Sequence, residues 1–434
     1  MLVKVAIIAD DLTGANDTGA QFSRRGLSAT VLLDLEKKIP REREVVVFDT
    51  DSRSASGQEA FERVARACES IKQQEAPPEI IYKKIDSTLR GNIGAEWDAV
   101  YRAFQPDFIV IAPSYPKVGR VMKDGSLFVD GCLLHETATS KDPKNPSTRS
   151  SLPDLLQEQS EKPFSLITTG LLRGDRARLT ERIGQLRRMD IPYLLFDAET
   201  DDDLESIAAL FQGGDYHVIW SGSAGLANAL AARFPATEAS QAHANADSDT
   251  VMVAVGSVNP ASRRQLDYLL QQDHVTGIEW NSLLALTEAG RRAEHERVYD
   301  LALQALLDRQ KHVVLYSSAS PATIQSARTQ GREHGMDAAQ VSNAISRALG
   351  NTAARIVKQC GISKLVLTGG DTARQVIMHL GAGQFELIAE IEAGVPVGRL
   401  SVHKEIHAIT KAGGFGGDEA LLRAIRVLAG GEKH

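Results

Sequence analysis

Two adjacent carboxylates, Asp10 and Asp11, close an apolar run of strand length, Val5-Ala6-Ile7-Ile8-Ala9, and lead into Leu12-Thr13-Gly14-Ala15-Asn16-Asp17-Thr18-Gly19. Neighbouring acids repel each other and gain nothing from packing. Their natural work is to hold a metal, a sugar hydroxyl or a proton. In an open α/β sheet the carboxyl end of a strand is where ligands bind, because loops converge there around a crevice. A helix cap at Asp11 or Asn16 accounts for one of these polar groups. It leaves the others to chemistry.

Two further polar clusters follow strand-like runs. Asp49-Thr50-Asp51-Ser52-Arg53-Ser54 supplies a guanidinium able to clamp a carboxylate in bidentate fashion. Tyr82-Lys83-Lys84-Ile85-Asp86-Ser87-Thr88-Leu89-Arg90-Gly91-Asn92 sets cations beside hydroxyl donors, with Asp86 suited to a substrate hydroxyl. Each cluster alone reads equally well as a solvated turn with helix caps. Three at successive strand ends point to a site for a hydroxylated carboxylate.

The second half of the chain carries a different signature, three strand–glycine–helix junctions. They are Val255-Gly256-Ser257-Val258-Asn259-Pro260, Leu367-Thr368-Gly369-Gly370-Asp371-Thr372 and Thr410-Lys411-Ala412-Gly413-Gly414-Phe415-Gly416-Gly417-Asp418. Glycine lets backbone amides approach phosphate oxygens, and a helix N-terminus adds partial positive charge. Asn259 with Pro260 reads as an N-cap and first helical residue, and Asp418 as a cap for the final helix. No Walker motif and no well-placed Gly-x-Gly-x-x-Gly is present, so a nucleotide crevice here is of neither common kind. His135, His217, His312, His379, His403 and His407 lack zinc-helix spacing, and Gly222-Ser223-Ala224-Gly225 misses the serine-hydrolase elbow and reads as a helix start.

These residues need a scaffold of alternating strands and helices. Strands are expected at Val3–Ala9, Ala29–Leu33, Val45–Phe48, Ile80–Lys83, Phe108–Ala112, Tyr193–Phe196 and His217–Trp220. Further strands are expected at Thr250–Val255, His312–Tyr316, Lys364–Thr368 and Ala408–Thr410. Helical periodicity marks the segment up to Gly26, Gly57–Ile71, the stretch after Asn259-Pro260, a long helix ending near Cys360 and a last helix from about Asp418. Such alternation implies βαβ units and mostly parallel sheets. Pro113–Ser150 has little periodicity and reads as a functional loop or lid. Residues 234–249 hold no large apolar side chain after Phe234 and read as a linker. The expected organisation is therefore two α/β domains, residues 1–233 and 250–434, each a mostly parallel sheet flanked by helices, with the active site in the cleft between them.

The 434 residues suit two domains, and 43% hydrophobic with 24% charged residues suits a soluble globular protein. A net charge of −7 argues against a nucleic-acid binder without excluding a small anionic substrate. No signal peptide and no run near the ~18 apolar residues of a membrane span stand out. Cys68, Cys132 and Cys360 are far apart and read as reduced, buried thiols of a cytoplasmic protein. The oligomeric state stays open, homo-oligomers included.

On the motifs around Asp10-Asp11-Leu12-Thr13-Gly14, Lys84–Asn92, Thr368–Thr372 and Lys411–Gly416, the sequence resembles the four-carbon acid sugar kinases over nearly its whole length. The resemblance implies an N-terminal acid-sugar domain, a C-terminal nucleotide domain, ATP as phosphoryl donor and Mg²⁺ on its phosphates. It assigns substrate to Asp10, Asp11, Arg53, Lys84, Ile85, Asp86 and Ser87. It assigns ATP to Ser257, Gly369, Gly370, Asp371, Thr372, Gly413 and Gly414. Metal ligands are left unassigned. Ala15-Asn16-Asp17-Thr18-Gly19 is similar to the D-threonate kinase branch, where 3-oxo-tetronate kinases typically read Ala-Thr-Asp; D-erythronate is the other acceptor within the family. Asp86 or Asp10 is the expected base for the terminal hydroxyl, since phosphoryl transfer needs positioning and charge neutralisation above all.

Three rivals remain. A ribokinase-like enzyme is suggested by Asp17-Thr18-Gly19-Ala20, but Gln21-Phe22 replaces the second Gly-Asp of that family's anion hole, and the motif lies at the wrong end of the chain. A non-catalytic sugar-acid sensor leaves the glycine junctions unexplained. An NAD-dependent oxidoreductase lacks the dinucleotide fingerprint.

Overall fold

The computed structural model describes residues 2–36, 39–40, 42–137, 140, 146–236, 250–308, 311–402 and 404–430. The chain divides into two compact units, Met1–Ala239 and Ser240–His434. Most of the expected linker, residues 237–249, and His403 lie outside the described residues.

In the first unit the strands are β1 (Val5–Ala9), β2 (Ala29–Leu32), β3 (Val45–Asp49), β4 (Ile80–Lys84), β5 (Phe108–Ala112), β6 (Arg120–Lys123), β7 (Ser126–Val129), β8 (Cys132–Leu133), β9 (Phe164–Ile167), β10 (Tyr193–Phe196) and β11 (Val218–Gly222). The helices are α1 (Leu12–Ser23), α2 (Gly57–Lys72), α3 (Ile93–Phe104), α4 (Leu152–Gln159), α5 (Thr169–Leu172), α6 (Arg176–Arg188), α7 (Asp201–Leu210) and α8 (Ala224–Ala231). The main sheet runs β2-β3-β1-β4-β11-β5-β10-β9, and neighbouring strands along it pair in parallel. Its central strands are buried at every position, which is why they read as continuous apolar runs. Ile8, Phe48, Trp97 and Ile111 share one core on the sheet.

The second unit contains β12 (Val251–Val255), α9 (Pro260–Leu270), β13 (Val275–Trp280), α10 (Glu288–Leu307), β14 (His312–Ser317), α11 (Pro321–Glu333), α12 (Ala338–Gln359), β15 (Lys364–Thr368), α13 (Gly370–Leu380), β16 (Gln384–Glu390), β17 (Pro396–Ser401), β18 (Glu405–Lys411) and α14 (Ala420–Ala429). Its strand order is β13-β14-β12-β15-β18-β17-β16. The pairings from β13 to β18 are parallel, and β17 and β16 return antiparallel. Val253, Val314, Val366, Leu421 and Ile425 form its core.

Both units open with the same topology. The second strand lies outermost, the third returns beside the first, and the fourth crosses to the first strand's other side. Loops leaving the first and fourth strands therefore diverge, and a crevice forms at their carboxyl ends. In the first unit that switch point falls between β1 and β4, and in the second between β12 and β15.

Several expectations are corrected. The segment 113–150 is not structureless: among its described residues β6, β7 and β8 form an antiparallel meander, with Arg120 opposite Val129 and Phe128 opposite Leu133. Strands β9, β13, β16 and β17 escaped the sequence reading, and β18 is longer than Ala408–Thr410. Asp418 does not cap α14; the cap position is Glu419, without a side-chain bond, and Asp418 pairs with Arg264 at 3.3 Å. Cys132 is exposed, while Cys68 is buried.

Candidate active site

In the first unit Asp10 follows β1 directly, and Asp11 caps α1, its Oδ1 accepting from Gly14 N at 2.9 Å. The loop after β3 is tied down against β1: Thr50 N donates to Ala9 O at 2.9 Å and Ser52 N to Asp10 O at 3.0 Å. That loop delivers Arg53 between both acids. Nε and Nη2 donate to Asp10 at 2.6 and 3.0 Å, and Nη1 and Nη2 donate to Asp11 at 2.8 and 2.6 Å. Asp86 lies 3.8 Å from the same guanidinium and takes a bidentate contact from Arg90 at 2.6 and 3.1 Å. Gly91, at φ +100°, lets the backbone pass beside Arg53 and Asp10, where a side chain would be strained.

The electrostatics follow from burial against pairing. Burial works to raise Asp10 and Asp86, yet the guanidinium of Arg53 holds Asp10 below the usual carboxylate range, and Arg90 then Arg53 hold Asp86 well below it. For Asp11 burial wins, with the adjacent Asp10 adding to it, and its carboxyl is pushed up. Two buried acids, Asp10 and Asp86, and the half-buried Asp11 thus share one crevice with different proton affinities.

Strand alternation separates two neighbouring lysines. Lys83 points to one face and forms a fully buried pair with Glu96 of α3 at 2.7 Å. Glu96 also accepts from Ser52 Oγ at 2.5 Å, so this pair braces the loop that carries Arg53. Lys84 points to the other face, donates to Ile85 O at 2.7 Å, and reaches the start of α1, where a Cβ on Gly14 would lie 2.8 Å from its Nζ. Gly14 is therefore required for the lysine to approach the helix N-terminus.

The meander contributes as well. Ser114 Oγ accepts from Met122 N at 3.0 Å and donates to Ala198 O at 2.7 Å, while Asp197 accepts from Gly125 N at 2.9 Å. So anchored, β6 brings the buried guanidinium of Arg120 to the hydroxyl of Ser87. Burial lowers the proton affinity of Arg120.

In the second unit the three glycine junctions leave the neighbouring strands β12, β15 and β18. Gly256 N donates to Thr368 O and Gly369 N to Lys411 O, both at 3.2 Å. A Cβ on Gly369, at φ +94°, would sit 3.1 Å from Ser257 N, and one on Gly413 2.4 Å from Ser257 Oγ. These junctions leave no room for side chains between them. Asn259 caps α9 through Ala261 N at 2.9 Å, whereas α13 and α14 start without a side-chain cap hydrogen bond. Arg263 of α9 donates to Ser317 O and Oγ at 2.9 and 3.1 Å. Burial lowers its guanidinium to about 10.

Comparison with known proteins decides the family. Residues 5–230 match the family described as sugar-binding N-terminal domain, and residues 252–421 the nucleotide-binding C-terminal domain. A D-threonate kinase of Salmonella typhimurium is 33% identical over 98% of both chains, and one of Bordetella bronchiseptica 31% identical over 98% of this chain and 97% of the relative. A crystal structure from Salmonella typhimurium, described as a proposed tRNA synthase, superposes with a TM-score of 0.79 at 26% identity, covering 98% of this chain and 99% of the other. The chain belongs to the four-carbon acid sugar kinase family.

For this sugar-acid kinase family member, the structure brings Asp10, Asp11, Arg53, Lys84, Ile85, Asp86 and Ser87 to the switch point of the first unit. It brings Ser257, Gly369, Thr372 and Gly413 to that of the second, where a Cβ on Gly256 would strike Thr372 Oγ1. Gly370 and Asp371 form the first turn of α13, and Gly414 follows Gly413 in the loop. The guanidinium of Arg53 grips two carboxylates of its own chain, Asp10 and Asp11. The sequence reading missed Glu96, Arg120, Ser262 and Gln265. Glu96 falls in an ordinary helical pattern, and Arg120 is a lone cation in an aperiodic stretch. Neither carried a local signal.

Among the described residues no group of three or more His, Cys, Asp or Glu side chains is arranged to hold a metal ion. Among them, too, no helix is long and apolar enough to cross a membrane.

Proposed function

We propose that the protein phosphorylates the terminal hydroxyl of a four-carbon sugar acid with ATP, that the acid is D-threonate, and that the product is D-threonate 4-phosphate. The observation that carries this reading is the Asp10–Arg53–Asp86 cluster at the first switch point, in a chain whose second switch point is lined by glycines and uncapped helix starts. Acids held ionised by their own arginines bind hydroxyls as acceptors, and cations beside them suit a carboxylate. Glycine backbone and helix N-termini suit phosphates. The choice of D-threonate rests on the two relatives of that name, with 3-oxo-tetronate and D-erythronate kinases among the other relatives as the alternatives.

In this reading residues 1–233 hold the sugar acid and residues 250–434 the nucleotide. Lys84, beside the N-terminus of α1, takes the substrate carboxylate, and Arg120 closes on it from the meander through Ser87. Arg53 keeps Asp10 ionised and oriented rather than clamping substrate itself. Asp10, Asp11, Ile85 and Ser87 shape and contact the bound acid. Asp86, whose side chain is 9% exposed against 3% for Asp10, faces the terminal hydroxyl. The hydroxyl oxygen attacks the γ-phosphorus, the bond to the bridging oxygen of ADP breaks, and the hydroxyl proton passes to Asp86. A base of such low proton affinity suffices because bonding to the nucleophile lags in a loose transition state. Ser257, Gly369, Gly370, Asp371, Thr372, Gly413 and Gly414 cradle the nucleotide. Mg²⁺ enters with the ATP phosphates as co-substrate, in keeping with its preference for phosphate oxygens and water over protein cages.

The test is ADP release across C3 to C6 sugar acids, with phosphorus NMR of the product. D-threonate is expected to give the highest kcat/KM and a phosphomonoester at C4. A kcat/KM about tenfold higher for D-erythronate or a 3-oxo-tetronate, roughly 1.4 kcal/mol of discrimination, would reassign the acceptor. ADP release with none of these acids would overturn the kinase reading for this chain.

A further inference from the structure

The loop from Ala412 to Gly417 is held from behind by three buried side chains that no motif singled out for this task. Lys411 Nζ donates to Ala412 O at 2.8 Å and to Phe415 O at 3.1 Å. Ser262 Oγ, in the first turn of α9, donates to Gly413 O at 2.8 Å. Gln265 Nε2, one turn further along α9, shares its two N–H groups among the carbonyls of Phe415, Gly416 and Gly417 at 3.0, 2.9 and 3.0 Å. Lys411, Ser262 and Gln265 are all essentially without solvent exposure. Together the three side chains reach the carbonyls of Ala412, Gly413, Phe415, Gly416 and Gly417.

The arrangement has a geometric consequence. In a trans peptide the N–H points opposite to the C=O of the same plane, and among the described residues there is no cis peptide. Turning the carbonyls of residues 412, 413, 415, 416 and 417 toward α9 and Lys411 turns the amides of Gly413, Gly414, Gly416, Gly417 and Asp418 the other way. Successive amides facing one side make an anion-binding concavity. Gly416, at φ +78°, gives the loop the backbone freedom this needs. The ammonium of Lys411 lies behind the same loop, surrounded by carbonyls. A buried cation of this kind favours a site where an anion can complete its charge balance.

We propose that Lys411, Ser262 and Gln265 are positioning residues of a phosphate-binding loop: they aim the amides of Gly413, Gly414, Gly416, Gly417 and Asp418 at the polyphosphate of the nucleotide, with the Lys411 charge behind them. This rests on the nucleotide reading given above and names the backbone groups that perform it. None of the three side chains touches the ligand. They act through the loop.

The test uses the full-length enzyme and the variants Lys411→Met, Gln265→Met and Ser262→Ala, with ADP titrated calorimetrically and steady-state kinetics at saturating sugar acid. Loss of these buried donors is expected to raise the ADP Kd and ATP KM about tenfold in the first two variants and about threefold in the third. The sugar-acid KM should stay at the wild-type value, a split that general loosening of the fold does not produce. Ser262→Ala removes a single oxygen and keeps the test open should the larger changes fail to fold. Folded variants with wild-type ADP affinity overturn the inference while leaving the nucleotide reading intact. Wild-type enzyme that binds no adenine nucleotide overturns both.

Discussion

The two units start from one topology and furnish it in opposite ways. At the β1/β4 switch point the loops carry charge: Asp10, Asp11 and Asp86 around Arg53 and Arg90, with Lys84 and Arg120 beside them. At the β12/β15 switch point glycines, hydroxyls and helix starts predominate, with Asp371 in the first turn of α13 and Lys411 bonded to the carbonyls of its own loop. Under the proposed function the contrast follows from the ligands that each would hold. A small polyhydroxy acid has to be told apart from its isomers, and fixed acceptors and cations do that. A polyphosphate is recognised for its charge and bulk, for which close backbone amides suffice. The fold supplies the crevice and the loop residues supply the chemistry.

That contrast predicts where each crevice is fragile. Asp86→Asn keeps shape and removes the proton acceptor, so kcat at saturating substrates should fall about 10²–10⁴-fold with ATP KM unchanged. Retention of more than about a third of wild-type kcat in both Asp86→Asn and Asp10→Asn, well short of the general-base range, would remove the base from the mechanism. Next in size is Arg120→Met, which takes one charge-assisted contact from the carboxylate end. The sugar-acid KM should rise about tenfold with little change in kcat. An equal fall in kcat and kcat/KM instead would place Arg120 at the transferring phosphoryl group.

The smallest effect concerns pH. Burial lowers Lys411 to about 7, against the pull of Glu392 in the opposite direction. A phosphate arriving in front of its loop favours the protonated amine, so nucleotide binding takes up a proton. Affinity for ADP should weaken as pH rises through that region, by a few-fold and at most about tenfold per unit. Lys411→Met should flatten the profile. A wild-type ADP affinity independent of pH between about 6 and 9, after allowance for phosphate ionisation, would show that the lysine does not change protonation on binding.

Much of this was legible beforehand, for a physical reason. Fully buried parallel strands such as Phe108–Ala112, Tyr193–Phe196 and Lys364–Thr368 write themselves as apolar runs, and their expected bounds coincide with those observed. Edge and antiparallel strands do not. The half-exposed positions of Gln384–Glu390 and the glycine in Val275–Trp280 blur the pattern. At the site, local motifs placed Asp10, Lys84 and Asp86 because strand end, turn and helix start are contiguous in sequence. Glu96, Arg120 and Gln265 act across folds of the chain, 44, 33 and 150 residues from Ser52, Ser87 and Phe415. Their roles exist only in three dimensions. Arg53 was found by type, while nothing in its spacing announces that it grips two acids of its own chain.

The central claim is divided labour between the two switch points. The most direct measurement is calorimetric titration of D-threonate and of ADP, separately, into full-length wild-type, Lys84→Met and Gly413→Val protein. A Cβ at Gly413 would lie 2.4 Å from Ser257 Oγ, and a valine branch fills the approach to the loop. The account predicts that Gly413→Val loses ADP and keeps D-threonate at its wild-type Kd, while Lys84→Met does the reverse, each loss being at least about tenfold. ADP binding lost in Lys84→Met but kept in Gly413→Val, with both proteins folded, would contradict it.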